Sequence, residues 1–520
     1  MGLVINRAQG NSGRAAAGFD YYSGLMFYGT APSVSGKWAT ATSPLFPSVT
    51  IKAQQMFAAT DATSAGILPN TDNTAATFTA VISTKGNTGD TFDGTFVIPI
   101  LGGGTQVIDT GLYTVGSSDT TIALQGAAWA AIINANTYLT GFSASFLTAT
   151  LTLTCPKNLG VYPNSGTPLT ITTTGAAVVA SPALGVSGTA SQYAIWFYHI
   201  SEYFRMNPTG NLWVGVISAT SSFNEILALK SASGNLIRQL GVYDKIAIST
   251  NMAANTLAIQ TAALLIDQTF PFEVIYSPNI KAVADLSTLF NGQTVSYNKV
   301  SVVISQDGGA QGLLLYTVSG QTIGNIGAKL GTLSSSRVSA DDSQAIDQFN
   351  LSNGVENAIP AFGNGQLLSA ISSTLNTELQ LFRYIFFQVF TGNLVGTWWT
   401  DNYCFCVQTS DYAYENDNRV IDKIVYTLNQ VYTPLVKSEV IYNQDGTISA
   451  ASIESLQDAG VDGITASMIT GQIPPTISGT PVVTIDPTQP LQATNNLQIV
   501  VSYVENGIAR NITITVGASN

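Results

Sequence analysis

Charge is what this sequence has least of. Of its 520 residues, 19 are Lys or Arg and 31 are Asp or Glu, so 10% are charged, against about 25% in an ordinary soluble protein. The net charge is −12, and no basic stripe runs through the chain. DNA, RNA and anionic membranes are therefore disfavoured as main ligands, because Lys and Arg are what meet those surfaces. No apolar run reaches the roughly 18 residues that a membrane-spanning helix needs. The opening, Met1–Arg14, has no secretory h-region, so the expectation is synthesis in the bacterial cytoplasm without general export. The three cysteines, Cys155, Cys404 and Cys406, make no disulfide framework.

Catalytic chemistry has equally little to work with. His199 is the only histidine, so any Ser-His-Asp or Cys-His site must use it. It lies between Tyr198 and Ile200 in an aromatic run that reads as packing. Cys404-Phe405-Cys406 is a C-x-C, not a C-x-x-C, in a strand-like stretch, and the single His and scattered Cys supply no zinc ligand set. Gly324 to Gly331 matches neither G-x-G-x-x-G nor a P-loop and reads as glycine-permitted close packing. Asn443 to Thr447 reads as a turn rather than a calcium loop, and Asp341-Asp342 as part of a polar loop. No G-x-S-x-G elbow is present. The expectation is a non-enzyme with no catalytic residues, no metal and no cofactor.

What is there is Gly (47 residues) with abundant Thr, Ser, Asn and Ala. A surface poor in long charged side chains costs little to cover, which suits a subunit packed against copies of itself. Composition and periodicity divide the chain into four stretches. Residues 1–37 are an N-terminal arm and the start of a core. Residues 38–192 are β-rich, with breaks such as Gly86–Gly89 and Gly102–Gly104 and one helical segment at Ala127–Asn134, and read as an inserted Ig-like or sandwich-like domain. Residues 193–437 alternate strand and helix, which implies an α/β core of mixed sheet and flanking helices. Residues 438–520 complete the core and end in a β-hairpin arm.

The longest helical pattern lies within Asp411–Leu435, where Val420, Ile421, Ile424, Val425, Leu428, Val431, Tyr432 and Leu435 share an apolar face and Asp417 or Asn418 offers a cap. A short helix comes next at Ile453–Leu456. In the tail, Leu497, Ile499, Val501 and Tyr503 alternate, and Asn506-Gly507 marks a turn toward Ile508, Ile512, Ile514 and Val516. Both ends of the chain therefore read as apolar strands on flexible leads, which need partners for their edges.

Residues Asn416-Asp417-Asn418-Arg419-Val420-Ile421-Asp422-Lys423 resemble a helix of contractile tail sheath proteins. The order downstream is similar too: Tyr432-Thr433-Pro434-Leu435, Asp445-Gly446-Thr447-Ile448, Val483 to Pro487, Leu491 to Thr494, and Gly507 to Ile512. Upstream, Tyr198 to Arg205 and Leu212 to Val216 fit the same group. The resemblance covers about Tyr193 to Val516, with 38–192 as a departure from the pattern.

The resemblance implies a structural subunit that polymerises helically around an inner tube and contracts to drive that tube through a target envelope. It implies many copies of the chain, an inner tube protein, and baseplate and terminator or cap proteins as partners, with no nucleic acid and no membrane bound directly. The location implied is a virion tail or assembled contractile particle. Carried onto this chain, the inter-subunit arms are Leu3, Val4 and Ile5, then Leu497, Ile499 and Val501 with Ile512, Ile514 and Val516. The competing reading is a surface-layer or adhesin-like protein, favoured by the Thr/Gly-rich β content.

Overall fold

A computed structural model describes residues 20–101, 104–165, 168–220, 222–247, 251–352, 355–390, 394–494 and 496–510. At its centre is an eight-stranded sheet. From edge to edge its strands are Tyr384–Ile385, Val300–Val303, Glu273–Asn279, Gln239–Ala247, Tyr22–Tyr28, Asn211–Ile217, Phe46–Met56 and Ala39–Ser43. The first six run parallel, and the last two are added antiparallel as a hairpin.

Parallel strands covered on both faces are apolar almost throughout, and Tyr22–Tyr28 illustrates why. Met26 and Tyr28 enter one core with helices Glu225–Ala232 and Met252–Leu264. Leu25 and Phe27 enter the other with helices Gln192–Met206 and Ile326–Ser335. Those last two helices meet through Gly327 and Gly331, which face the main chain at His199 and Tyr203.

The insertion is smaller than its composition suggests. Residues 39–56 share the Thr/Ser-rich character of the 75–188 stretch, yet they belong to the central sheet, where Phe46–Met56 pairs with Asn211–Ile217. The boundary expected at 38 is therefore displaced. Helix Ala59–Ser64 also packs on the core, through Ala62. The inserted unit closes at a neck where Thr74 and Thr189 exchange hydrogen bonds, Thr74 N–H to Thr189 Oγ1 at 2.7 Å and Thr189 N–H to Thr74 O at 3.2 Å. Beyond the neck two four-stranded sheets share one core. Phe78, Leu151 and Leu153 come from one sheet, Phe92, Phe96 and Leu169 from the other, and Trp129 from helix Ile122–Ala135.

Because the neck residues touch, deleting 75–188 and joining Thr74 to Thr189 is expected to leave a chain that still melts cooperatively by circular dichroism. Loss of the cooperative transition would show that the core depends on the insertion.

The C-terminal part also departs from its pattern. Helix Ala450–Met468 spans 19 residues rather than the short Ile453–Leu456 segment. Gly460 and Gly463 let it approach Tyr432 and Val431 of helix Glu415–Tyr432. The strand Val500–Glu505 pairs antiparallel with Ile477–Thr484; the segment Ile512 to Val516, expected to pair with it across Asn506-Gly507, lies outside the described residues. Val501 and Tyr503 cover Ile464, Met468 and Ile477.

Candidate functional site

The helix Glu415–Tyr432 carries Asn416 to Lys423, the first run of residues quoted for the resemblance. It begins after Tyr414 with no side-chain cap. Asp417 sits in the first turn, and Asn418 donates to the Tyr412 and Tyr414 carbonyls. Its apolar stripe, Val420 and Ile424 with Leu428, faces Ile464, Met468 and Ile477 of its own C-terminal unit, not the sheet. The opposite face docks on the α/β core and is polar.

Glu415, Arg419, Asp422 and Tyr426 are spaced 4, 3 and 4 apart, one stripe of a helix, and each finds a buried partner. Glu415 Oε2 lies 2.8 Å from Lys329 Nζ, which also meets Asp342 at 2.7 Å. Arg419 Nη1 donates to Ser336 Oγ at 2.9 Å. Asp422 binds Lys299, which Asp267 and Glu273 also approach at 3.0 and 3.6 Å. Tyr426 Oη accepts from Lys230 Nζ at 2.7 Å, and the Arg238 guanidinium lies 3.3 Å over its ring. Beside the stripe, Lys423 Nζ binds Asp20 at 2.7 Å.

Burial pushes the carboxyls of Glu415, Asp422 and Glu273 upward, and the neighbouring lysines pull them back. Burial, above all else, drives Lys230 well down. Pairs of this kind add little net stability. Their main effect is on register, because only one docking of the helix satisfies all of them. Asp341-Asp342, expected in a polar loop, is buried here as part of this seam. Sequence reasoning missed Lys299, Lys329 and Asp20. The available signal was the 4-3-4 spacing of polar residues opposite the apolar stripe.

The other end of the seam holds the chain's final described residues. The Arg510 guanidinium stacks 3.4 Å over Tyr414, with Nε 3.1 Å from Asp401 Oδ2 and Nη2 3.8 Å from Asp341. Asp401 is pushed up to about 7, first by burial and then by Asp341, against the pull of Arg510. Glu505 is pushed up to about 7 and Asp417 to about 6, chiefly by burial. A carboxyl with a raised folded pKa binds more protons folded than unfolded, so stability falls as pH rises between about 4 and the folded value. Thermal melts are expected to show a higher midpoint near pH 5 than near pH 8, with Asp401→Asn flattening the slope. A midpoint that rises with pH would contradict this assignment.

Of the arm residues expected from sequence, Leu3, Val4, Ile5, Ile512, Ile514 and Val516 lie outside the described residues. Leu497 and Ile499 lie in irregular chain before the last described strand, and Val501 lies within it opposite Val483. The strands Ile477–Thr484 and Val500–Glu505 pair only with each other among the described residues, leaving both outer edges unpaired there.

The candidate chemical residues sit elsewhere. His199 is fully buried against Phe27 and Tyr243, and burial pushes it down to about 3. Cys155, Cys404 and Cys406 are free and buried, and burial pushes the Cys155 thiol up to about 12. The Asp445 carboxylate accepts from Thr447 N–H and Oγ1–H, closing a local turn. A cleft of about 490 Å3 separates the insertion from helix Gln192–Met206, with Glu202 and Glu356 in its wall. Among the described residues, no group of three or more His, Cys, Asp and Glu is disposed to hold a metal, and no helix is long and apolar enough to cross a membrane.

Residues 411–520 match the family described as DUF2586, C-terminal domain, a span that takes in the docked helix and the Arg510 clasp. No curated protein matches the chain. Among solved structures, a chain of the anti-feeding prophage baseplate, determined by cryo-EM, is similar at 13% identity and a TM-score of 0.37, over 62% of this chain and 80% of that one.

Proposed function

We propose that this chain is a structural subunit of a phage-tail-like contractile particle, and within it a sheath subunit that polymerises around an inner tube. The observation that carries the reading is the shared exit of the two ends. Asp20 is held by Lys423, and Arg510 reaches Asn416 Oδ1 at 3.4 Å. Those two anchor points are seven residues apart on one helix, about 10 Å. Beyond the anchors the sequence is apolar at Leu3, Val4 and Ile5 and again at Ile512, Ile514 and Val516. Two apolar terminal sequences whose nearest described residues are anchored on one helix, near a two-stranded sheet whose outer edges are unpaired among the described residues, suit exchange of strands between neighbouring copies.

Such a contact is heterologous, and it propagates as an open helix rather than closing. The buried seam keeps the exit point fixed while neighbours re-dock. Contraction then draws on a metastable extended assembly, held by a kinetic barrier. The inner tube and the baseplate and cap proteins are the partners this role requires. No catalytic step and no cofactor enter it.

Negative-stain electron microscopy of the purified chain, alone and with the products of its neighbouring genes, tests the reading. Hollow, regularly striated tubes are expected. Removing residues 511–520 is expected to abolish them and leave a monomer with an unchanged circular dichroism spectrum. Globular particles under every condition would exclude a sheath, and normal tubes from the truncated chain would exclude the arm.

A further inference from the structure

Lys329, Asp342 and Glu415 have side chains that are 0% exposed. Lys329 Nζ lies 2.7 and 2.9 Å from the two Asp342 oxygens and 2.8 Å from Glu415 Oε2. Thr332 Oγ1 donates to Asp342 Oδ2 at 2.8 Å and accepts from Trp399 Nε1–H at 3.0 Å. The Trp399 ring lies 5.8 Å from the ammonium. An amine, a carboxyl to receive it and a second carboxyl to carry protons are thus held together away from water. Acyl transfer to nitrogen requires this set of groups.

We propose that Lys329 and Asp342 become joined by an intramolecular isopeptide bond, with Glu415 as the proton carrier. Glu415 takes a proton from the ammonium and passes it to the Asp342 carboxylate. The neutral amine attacks Asp342 Cγ, the Nζ–Cγ bond forms and one Cγ–Oδ bond breaks. Nitrogen gives up two protons and the carboxylate one oxygen, and these leave as water, so the step needs no oxidant, reductant or cofactor.

In water the separated ions are favoured by their hydration. Here neither ion has hydration to lose, and each is costly to keep buried. Condensation removes both charges and leaves a neutral amide beside Glu415. The two carboxylates hold Lys329 protonated in the resting cluster, so proton transfer through Glu415 is the step that releases the nucleophile. Glu415 opens the docked helix, so the bond forms only once that helix is seated. Lys299 provides the contrast. It is buried with Asp422 and Glu273, but its charge is shared among three carboxylates, and the third, Asp267, is 33% exposed and keeps its hydration.

Intact-mass spectrometry and a tryptic map of the full-length chain test this. The expected mass is lower than the sequence mass by one water. The map should contain a branched peptide joining residues 300–337 to 338–383, uncut after Lys329. Lys299→Arg should keep both signatures, and Lys329→Arg and Glu415→Gln should lose both. The wild-type map decides the matter even where a variant fails to fold. A folded wild-type chain at full sequence mass, or one lighter by a water without the branched peptide, overturns the proposal.

Discussion

Replacing Lys299 by Met is expected to cost about 3–5 kcal/mol of stability, the usual effect of leaving a buried charge without its partner. The ammonium is shared by Asp422, Glu273 and Asp267, and the first two are buried. Methionine fills the space of the lysine stem but offers those carboxylates nothing. They respond by taking up protons. Burial already raises the Asp422 and Glu273 carboxyls, and removing Lys299 raises them further. The variant therefore binds more protons folded than unfolded, and its deficit grows as pH rises above about 4. Urea unfolding near pH 8 should show the full loss, and near pH 5 a smaller one. A loss below about 1 kcal/mol at pH 8 would mean that this seam is not a closed site but a wet, relaxed surface contact.

Gly327→Val is the second large effect expected. A Cβ at Gly327 would stand 2.0 Å from the His199 carbonyl oxygen and 2.8 Å from its Cα. One turn on, a Cβ at Gly331 would meet Tyr203 O at 2.7 Å. The opposing atoms are main chain, so no rotamer change relieves the clash and the two helices must separate. Overpacking typically costs about 1–3 kcal/mol, and the valine should exceed that range while Gly327→Ala falls near its top. Gly507→Ala is the control, since a Cβ there meets nothing within 4 Å among the described residues. Chemical denaturation of the three variants gives the ranking, and equal midpoints for Gly327→Val and Gly507→Ala would disprove the backbone contact.

These two positions also show what can be read from the sequence and what cannot. Gly324 to Gly331 is legible as close packing because its glycine spacing fits no ligand loop, but its opposite number, His199, is not. The strand Asn211–Ile217 announces itself as an unbroken apolar run, and the apolar stripe of Glu415–Tyr432 by its period. The partners of that helix's polar stripe are hidden, because Lys299 and Lys329 lie about 90 or more residues away and a charged residue is ordinarily at the surface. Gly460 and Gly463 serve as contact points inside a helix longer than the expected Ile453–Leu456 segment. The strand before Asn506-Gly507 pairs with Ile477–Thr484, a partner that no local turn signal announces. Composition places the hairpin Ala39–Met56 in the insertion, since nothing local distinguishes an edge strand of one sheet from that of another.

The place of Tyr22–Tyr28 has a consequence for the chain as it is made. This strand lies between Asn211–Ile217 and Gln239–Ala247, and its first residue pairs with Asn211. At about 5–20 residues per second, a ribosome needs on the order of 10–40 s to reach its neighbour after finishing it. Throughout that interval an apolar strand has no edge to join, while the insertion, local in its contacts, can fold as it emerges. The fold thus creates a waiting period in which the nascent N-terminal segment is the part of the chain most in need of a chaperone.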